Sequence, residues 1–184
     1  MPEGALVGTR RALLTLPLAM LAAGCATSPP AAARPAAGGS PVAGSPPAPP
    51  VPETLKFSGT TLDGATYDAA QLAGKPAVLW FWAPWCATCA GEAQSVADDQ
   101  EEYAGRLTFL GVAGMGTTKA MREFVADMDV GAVTHLNDPT GKIWKRFAIF
   151  EQSTYVLLDA AGTMVTRSYL DDQQLTAALK KLAG

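Results

Sequence analysis

Val78-Leu79-Trp80-Phe81-Trp82 carries no polar position, and such a run is expected of a strand covered on both faces rather than one. The spacing predicts a strand over Ala77 to Trp82, entered through Gly74-Lys75-Pro76. Upstream, Leu55-Lys56-Phe57 and Thr66-Tyr67 bracket Leu62-Asp63-Gly64, which predicts a hairpin, and Asp68 to Leu72 predicts a helical turn closed by Gly74. Downstream, the pattern gives a helix over Ala90 to Tyr103, a strand over Leu107 to Val112, a helix over Thr117 to Met128 and a shorter helix over Gly141 to Phe147. Two strands follow, Thr154 to Leu158 and Met164 to Tyr169, joined by Asp159-Ala160-Ala161-Gly162. The final helix, Asp171 to Leu182, sets Leu175, Ala178, Leu179 and Leu182 on one face. Strand, helix, strand, helix, hairpin and helix in that order predict an α/β fold, a mixed sheet with helices on both faces and an added N-terminal β-hairpin.

The composition before Glu53 is different in kind. Nine of the 14 prolines fall between Ala26 and Pro52, among Ala, Gly and Ser, so residues 25–52 are expected to form an extended tether without a core of their own. Residues 1–24 read as an export signal: Arg10-Arg11, then an apolar segment from Ala12 to Gly24 that is too short and Ala-rich for a membrane span. Thr9-Arg10-Arg11-Ala12-Leu13-Leu14 resembles a twin-arginine signal, with the general secretory route as the alternative. Leu21-Ala22-Ala23-Gly24-Cys25 resembles a lipobox, although Leu stands one place further out than usual; Cys25 is expected to be lipidated, against the alternative of a free thiol beside an ordinary cleavage site. The 184 residues, 48% hydrophobic and 17% charged, then leave one globular domain over residues 53–184. A net charge of -3 and the lack of a basic run give no electrostatic reason to expect nucleic acid as a partner.

Of the three cysteines, only Cys86 and Cys89 have the spacing of an intramolecular bridge. They follow the apolar strand at the expected start of a helix, where the partial positive charge and free N–H groups favour a thiolate. Disulfide exchange requires such a thiolate and a second thiol close enough to resolve the mixed disulfide. Cys86, nearer the solvent, is the expected attacking residue and Cys89, one turn in, the resolving one. A structural bridge or half of a zinc site are the alternatives, and zinc lacks further ligands in a chain with one histidine.

Trp82-Ala83-Pro84-Trp85-Cys86-Ala87-Thr88-Cys89 resembles the thioredoxin active-site signature. With the N-terminal hairpin, Gly74-Lys75-Pro76, Glu92 and Asp159-Ala160-Ala161-Gly162, residues 53–184 resemble the TlpA/ResA/DsbE group of exported thioredoxin-like proteins, and within it the actinobacterial DsbE- and DsbF-type lipoproteins. The resemblance implies a thioredoxin-like fold. It also implies an active-site surround of Pro84, Trp85, Ala87, Thr88, Gln152, Ser153 and Thr154.

Two positions depart from the pattern. The buried acid that thioredoxin carries six residues before the first cysteine is here Trp80, and Glu92, three residues after Cys89, is the candidate carboxylate to assist Cys89, with a solvated helix residue as its bland alternative. The family's cis-proline aligns with Ser153, and no proline occurs after Pro139. Glu151-Gln152-Ser153-Thr154 is still expected to line the site, in a cis or reshaped trans loop, with altered substrate release or metal capture at the thiols. His135 is expected to be an ordinary strand or loop residue rather than a catalytic one.

The function so implied is an extracytoplasmic thiol-disulfide oxidoreductase that exchanges the Cys86/Cys89 disulfide with cysteines of exported proteins, in the oxidising direction. It would use no metal and no cofactor beyond that disulfide. Its partners would be exported cysteine-containing proteins, a membrane redox partner, and the membrane itself through the lipid on Cys25 at the outer face of the cell. A reductase of the cytochrome c maturation type is the first alternative. A thiol peroxidase would have Thr or Ser where Ala83 stands, and a copper carrier usually has three residues between its cysteines and a histidine ligand.

Overall fold

The computed structural model describes residues 50–184; the export signal, the lipidation site Cys25 and nearly all of the tether lie outside the described residues. Seven strands and four α-helices follow: β1 Ser58–Thr60, β2 Thr66–Asp68, β3 Ala77–Trp82, α1 Ala87–Glu102, β4 Thr108–Gly114, α2 Thr118–Asp127, β5 Thr134–Asp138, α3 Lys142–Arg146, β6 Thr154–Leu158, β7 Met164–Ser168 and α4 Asp172–Ala183. Five strands form a mixed sheet in the order β5-β4-β3-β6-β7. The central strand, β3, runs parallel to β4 and antiparallel to β6, in a register that sets Trp80 opposite Gly111 on one side and Tyr155 on the other.

Every residue of β3 is buried, and its side chains divide by the period-two rule between two cores. Val78, Trp80 and Trp82 meet Cys86, Cys89, Ala93 and Val96 around α1, together with Met121 and Phe124 of α2 and Leu175 and Leu179 of α4. Ala77, Leu79 and Phe81 meet Ile143 and Trp144 of α3, with Leu55, Leu72 and Phe147. The unbroken apolar run thus reflects helices on both faces of the sheet.

Three local expectations need correction. Leu55 lies in a 3-10 turn, Glu53–Leu55, not in a strand, and the hairpin is β1 with β2, a step later in sequence. The single bridge between Thr61 and Leu136 joins this hairpin to β5. The expected list of strands omitted β5 itself. Its inward positions include His135 and Asp138, which are buried but polar, so the apolar signal that marks the other sheet strands is absent. Finally, α1 begins at Ala87 rather than Ala90, because Cys86 itself caps it.

Side-chain caps explain the starts of α2 and α4. Thr117 Oγ1 accepts from Ala120 N–H at 3.2 Å ahead of α2, and Asp171 with Gln174 forms a reciprocal capping box ahead of α4.

Candidate active site

Cys86 and Cys89 are joined in a disulfide, with Cα atoms 5.3 Å apart, at the point where β3 ends and α1 begins. Cys86 Sγ accepts the N–H of Cys89 at 3.0 Å, so the sulfur occupies the capping position of α1. A thiolate there would neutralise a free helix N–H and meet the positive end of the helix dipole. Cys86 is 6% exposed and Cys89 is fully enclosed, so Cys86 carries the more accessible sulfur of the pair.

The surround is held from the β4 side. Trp85, 58% exposed, donates from Nε1 to the carbonyl of Met115 at 2.7 Å. Met115 has a φ of 55°, and at Gly116 an added Cβ would stand 2.5 Å from Pro84 Cγ, so the loop after β4 can approach the active-site turn only as glycine there. Ala87 and Thr88 are exposed. A groove of about 370 Å³ runs from Cys86 to α2, with Trp85, Phe124 and Met128 among its apolar lining and Glu123 and Asp127 among its polar one. Sequence reasoning had no access to Met115 and Gly116, whose role comes from a contact and not from side-chain chemistry.

Glu92 is 7% exposed, in the buried stripe of α1 one turn after Cys89, and is not a solvated residue. Its Oε2 accepts from Trp80 Nε1 at 3.1 Å, from Ser153 Oγ at 2.5 Å and from Tyr155 Oη at 3.2 Å, while the buried Oε1 has no hydrogen-bond partner. Trp80 Nε1 also donates to Ser153 Oγ at 2.8 Å, so the serine hydroxyl accepts from the indole and donates to the carboxylate. Burial raises the Glu92 carboxyl above its ordinary value, and the three donors oppose that rise. The two departures read in the sequence, Trp80 and Ser153, therefore meet at one carboxylate. Tyr155, which completes the set from β6, was missed; its place opposite Trp80 in the strand register is what brings it there.

The Gln152–Ser153 peptide bond is cis. Ser153 and Thr154 are buried and Gln152 half-buried, and Thr154 Oγ1 donates to the Glu151 carbonyl at 2.8 Å. Of the expected site residues, Cys86, Cys89, Pro84, Trp85, Ala87 and Thr88 share one turn, while Ser153 reaches the set through Glu92 and Trp80.

The AhpC/TSA family model matches residues 50–169, the whole span from the end of the tether through β7. The chain belongs to the AhpC/TSA family. It is 43% identical over 111 residues to the soluble secreted antigen MPT53 of Mycobacterium tuberculosis, a match covering 60% of this chain and 63% of that protein. The chain thus spans less than two thirds of the length of that relative. Among solved structures, M. tuberculosis DsbF superposes with a TM-score of 0.68 at 41% identity, covering 72% of this chain and 99% of DsbF. A secreted M. tuberculosis disulfide oxidoreductase homologous to E. coli DsbE superposes with a TM-score of 0.65 at 37% identity, covering 71% and 98%. The fold is thioredoxin-like, and the chain falls in the DsbE/DsbF-type group.

His135 has a structural place in this AhpC/TSA domain. Its Nδ1 accepts from Trp82 Nε1 at 3.1 Å, which leaves Nε2–H to donate to the Val130 carbonyl at 3.0 Å and fixes a neutral tautomer. The ring stands nearly perpendicular to Trp82, and Trp82 itself stacks on Phe124 at 4.4 Å. Gly111, its partner on β4, leaves room for it: a Cβ there would lie 2.0 Å from Nδ1. Burial pushes the imidazole down to about 4. Because the unfolded chain takes up this proton near pH 6.5 and the folded one only near 4, stability falls as pH falls through that window, by about 3 kcal/mol at the lower end. Chemical denaturation should show the wild type losing about this much more stability between pH 7 and pH 4 than His135→Asn does, and the variant should be somewhat less stable at pH 7.

Proposed function

We propose that this protein is an extracytoplasmic thiol-disulfide oxidoreductase that gives its Cys86–Cys89 disulfide to cysteine pairs in exported proteins. The observation that carries this reading is a disulfide at a helix cap with a buried, half-unpartnered carboxylate one turn behind it. In the oxidising direction a substrate thiolate attacks Cys86 Sγ and the Cys86–Cys89 bond breaks, with Cys89 leaving as thiolate. Glu92, one turn on along α1 and shifted by burial toward its neutral form, is the group that would return a proton to Cys89. A second substrate thiolate then attacks the substrate sulfur of the mixed disulfide and releases Cys86, whose thiolate the α1 terminus stabilises. Two electrons pass from the substrate thiols to the cysteine pair, and no further cofactor enters.

Export is supported by the signal-like residues 1–24 and by the secreted relatives, and attachment to the outer face of the membrane by the lipobox-like sequence ending at Cys25. Exposed Trp85 lines the groove beside Cys86, and Met115, whose carbonyl accepts from Trp85, is exposed next to it; both offer apolar surface suited to an incompletely folded chain. The membrane redox partner would reoxidise the pair. The thiol peroxidase reading is disfavoured, because the position three residues before Cys86 is Ala83, fully buried and without a hydroxyl.

Reduction potential and oxidative refolding test the reading together. The protein should restore native disulfides to a reduced, unfolded substrate stoichiometrically, and its potential should lie nearer that of a strong oxidant, about -120 mV, than that of thioredoxin, about -270 mV. Efficient insulin reduction with a potential near thioredoxin's would replace oxidation by the reductase alternative.

A further inference from the structure

Ser153 Oγ is the one hydroxyl that bridges the loop before β6 to the carboxylate behind the disulfide. It stands 2.8 Å from Trp80 Nε1 and 2.5 Å from Glu92 Oε2, and the residue is 3% exposed. A proline at this position would have no group for either contact. The serine therefore adds a donor to a carboxylate that already receives two, and it does so from the loop that the family resemblance places against the substrate.

We propose that Ser153 is a positioning residue whose hydroxyl governs proton exchange between Glu92 and Cys89, and so ties the substrate-facing loop to the resolving step. This rests on the oxidoreductase reading above. In the step concerned, Glu92 as carboxylate takes the proton of Cys89, the Cys89 thiolate attacks Cys86 Sγ in a mixed disulfide, and the bound thiol leaves. The hydrogen bond from Ser153 favours the charged carboxylate, so its loss keeps Glu92 protonated to higher pH and delays deprotonation of Cys89. The groups facing Glu92 are Trp80 on β3, Ser153 and Tyr155 from the β6 side, and Asp172 at the start of α4, with Asp99 of α1 acting on Tyr155; Cys89 lies one turn before it in the buried stripe of α1. Asp172 opposes ionisation of Glu92, so no basic neighbour substitutes for the lost donor.

The reduced full-length protein, treated with a chromogenic aromatic disulfide, forms a mixed disulfide at Cys86; release of the second chromophore reports the attack by Cys89. Its rate against pH should inflect about one pH unit higher in Ser153→Ala than in the wild type, with a common plateau at high pH. Ser153→Pro should shift equally, which keeps the test intact should the alanine variant fold poorly. In a Glu92→Gln background, Ser153→Ala should move nothing further. A Ser153→Ala profile that superimposes on the wild type, a Ser153→Pro profile that does so, or a shift that persists in Glu92→Gln would overturn the proposal. Absence of any Cys86-dependent chromophore release would instead remove the oxidoreductase reading beneath it.

Discussion

Cys86→Ser should reduce protein thiol-disulfide exchange by three or more orders of magnitude, on the order of the cost of deleting an enzymatic nucleophile, while leaving the fold in place. The serine hydroxyl is as good a cap for α1 as the sulfur it replaces, so the N–H of Cys89 keeps an acceptor. What vanishes is the only sulfur of the pair with any solvent exposure: Cys89 is fully enclosed and cannot receive a substrate thiolate in its place. The lost crosslink itself closes a short loop, with a sequence separation of 3, and is worth only about 2 kcal/mol by chain entropy. Cys89→Ser should behave differently, because Cys86 still attacks and no resolving thiol follows. Covalent complexes between the variant and disulfide-bonded substrates should accumulate, each formed as Cys86 displaces one substrate thiol, and should disperse on adding reductant. Rates of substrate refolding for both variants, alongside thermal unfolding of each, check the pair; exchange surviving in Cys86→Ser would refute the assignment.

Glu92→Gln should slow the resolving attack of Cys89 by about 100-fold near neutral pH, within the range that a positioned proton acceptor contributes. The amide oxygen can still accept from Trp80, Ser153 and Tyr155, so packing changes little, but no proton can be taken from Cys89. The same change should stabilise the fold. A carboxyl raised above its unfolded value favours the folded state fully at low pH, and that advantage is lost as pH rises through the folded value. The glutamine variant escapes the loss, so its unfolding temperature should exceed the wild type's at pH 8 and the gain should disappear near pH 4. Slower chemistry with higher stability would separate a proton-transfer role from a packing one; slower chemistry with lower stability would argue for packing.

Much of this was legible in the chain. The polar-free run from Val78 to Trp82, the cysteine spacing and the apolar face of α4 each carry a period or a chemistry that only one element satisfies. Glu92 was readable as a candidate because its distance from Cys89 fixes its helical face. Its burial was not, since a charged residue on a mostly polar helix gives the same local signal whether it points in or out. Trp80 and Ser153 each showed as a departure from a pattern. That they touch could not be read, because 73 positions separate them and only the β3–β6 register brings them together. The strand β5 escaped for a related reason: His135 is satisfied by Trp82, 53 positions away, as well as by the nearby Val130 carbonyl, and these partners make a polar inward position acceptable although its residue type does not show it.

The shared Oε2 of Glu92 also constrains how such a site can change by single substitutions. Replacing Glu92 by a residue without an acceptor strands a buried serine hydroxyl and a tyrosine hydroxyl; proline at position 153 alone deprives the indole of its nearer acceptor; an acid at position 80 alone would set two carboxylates against each other. Each step back toward the pattern of thioredoxin is thus costly until another has been taken. The four side chains act as one coupled unit, in which the order of substitutions decides which single changes the site tolerates.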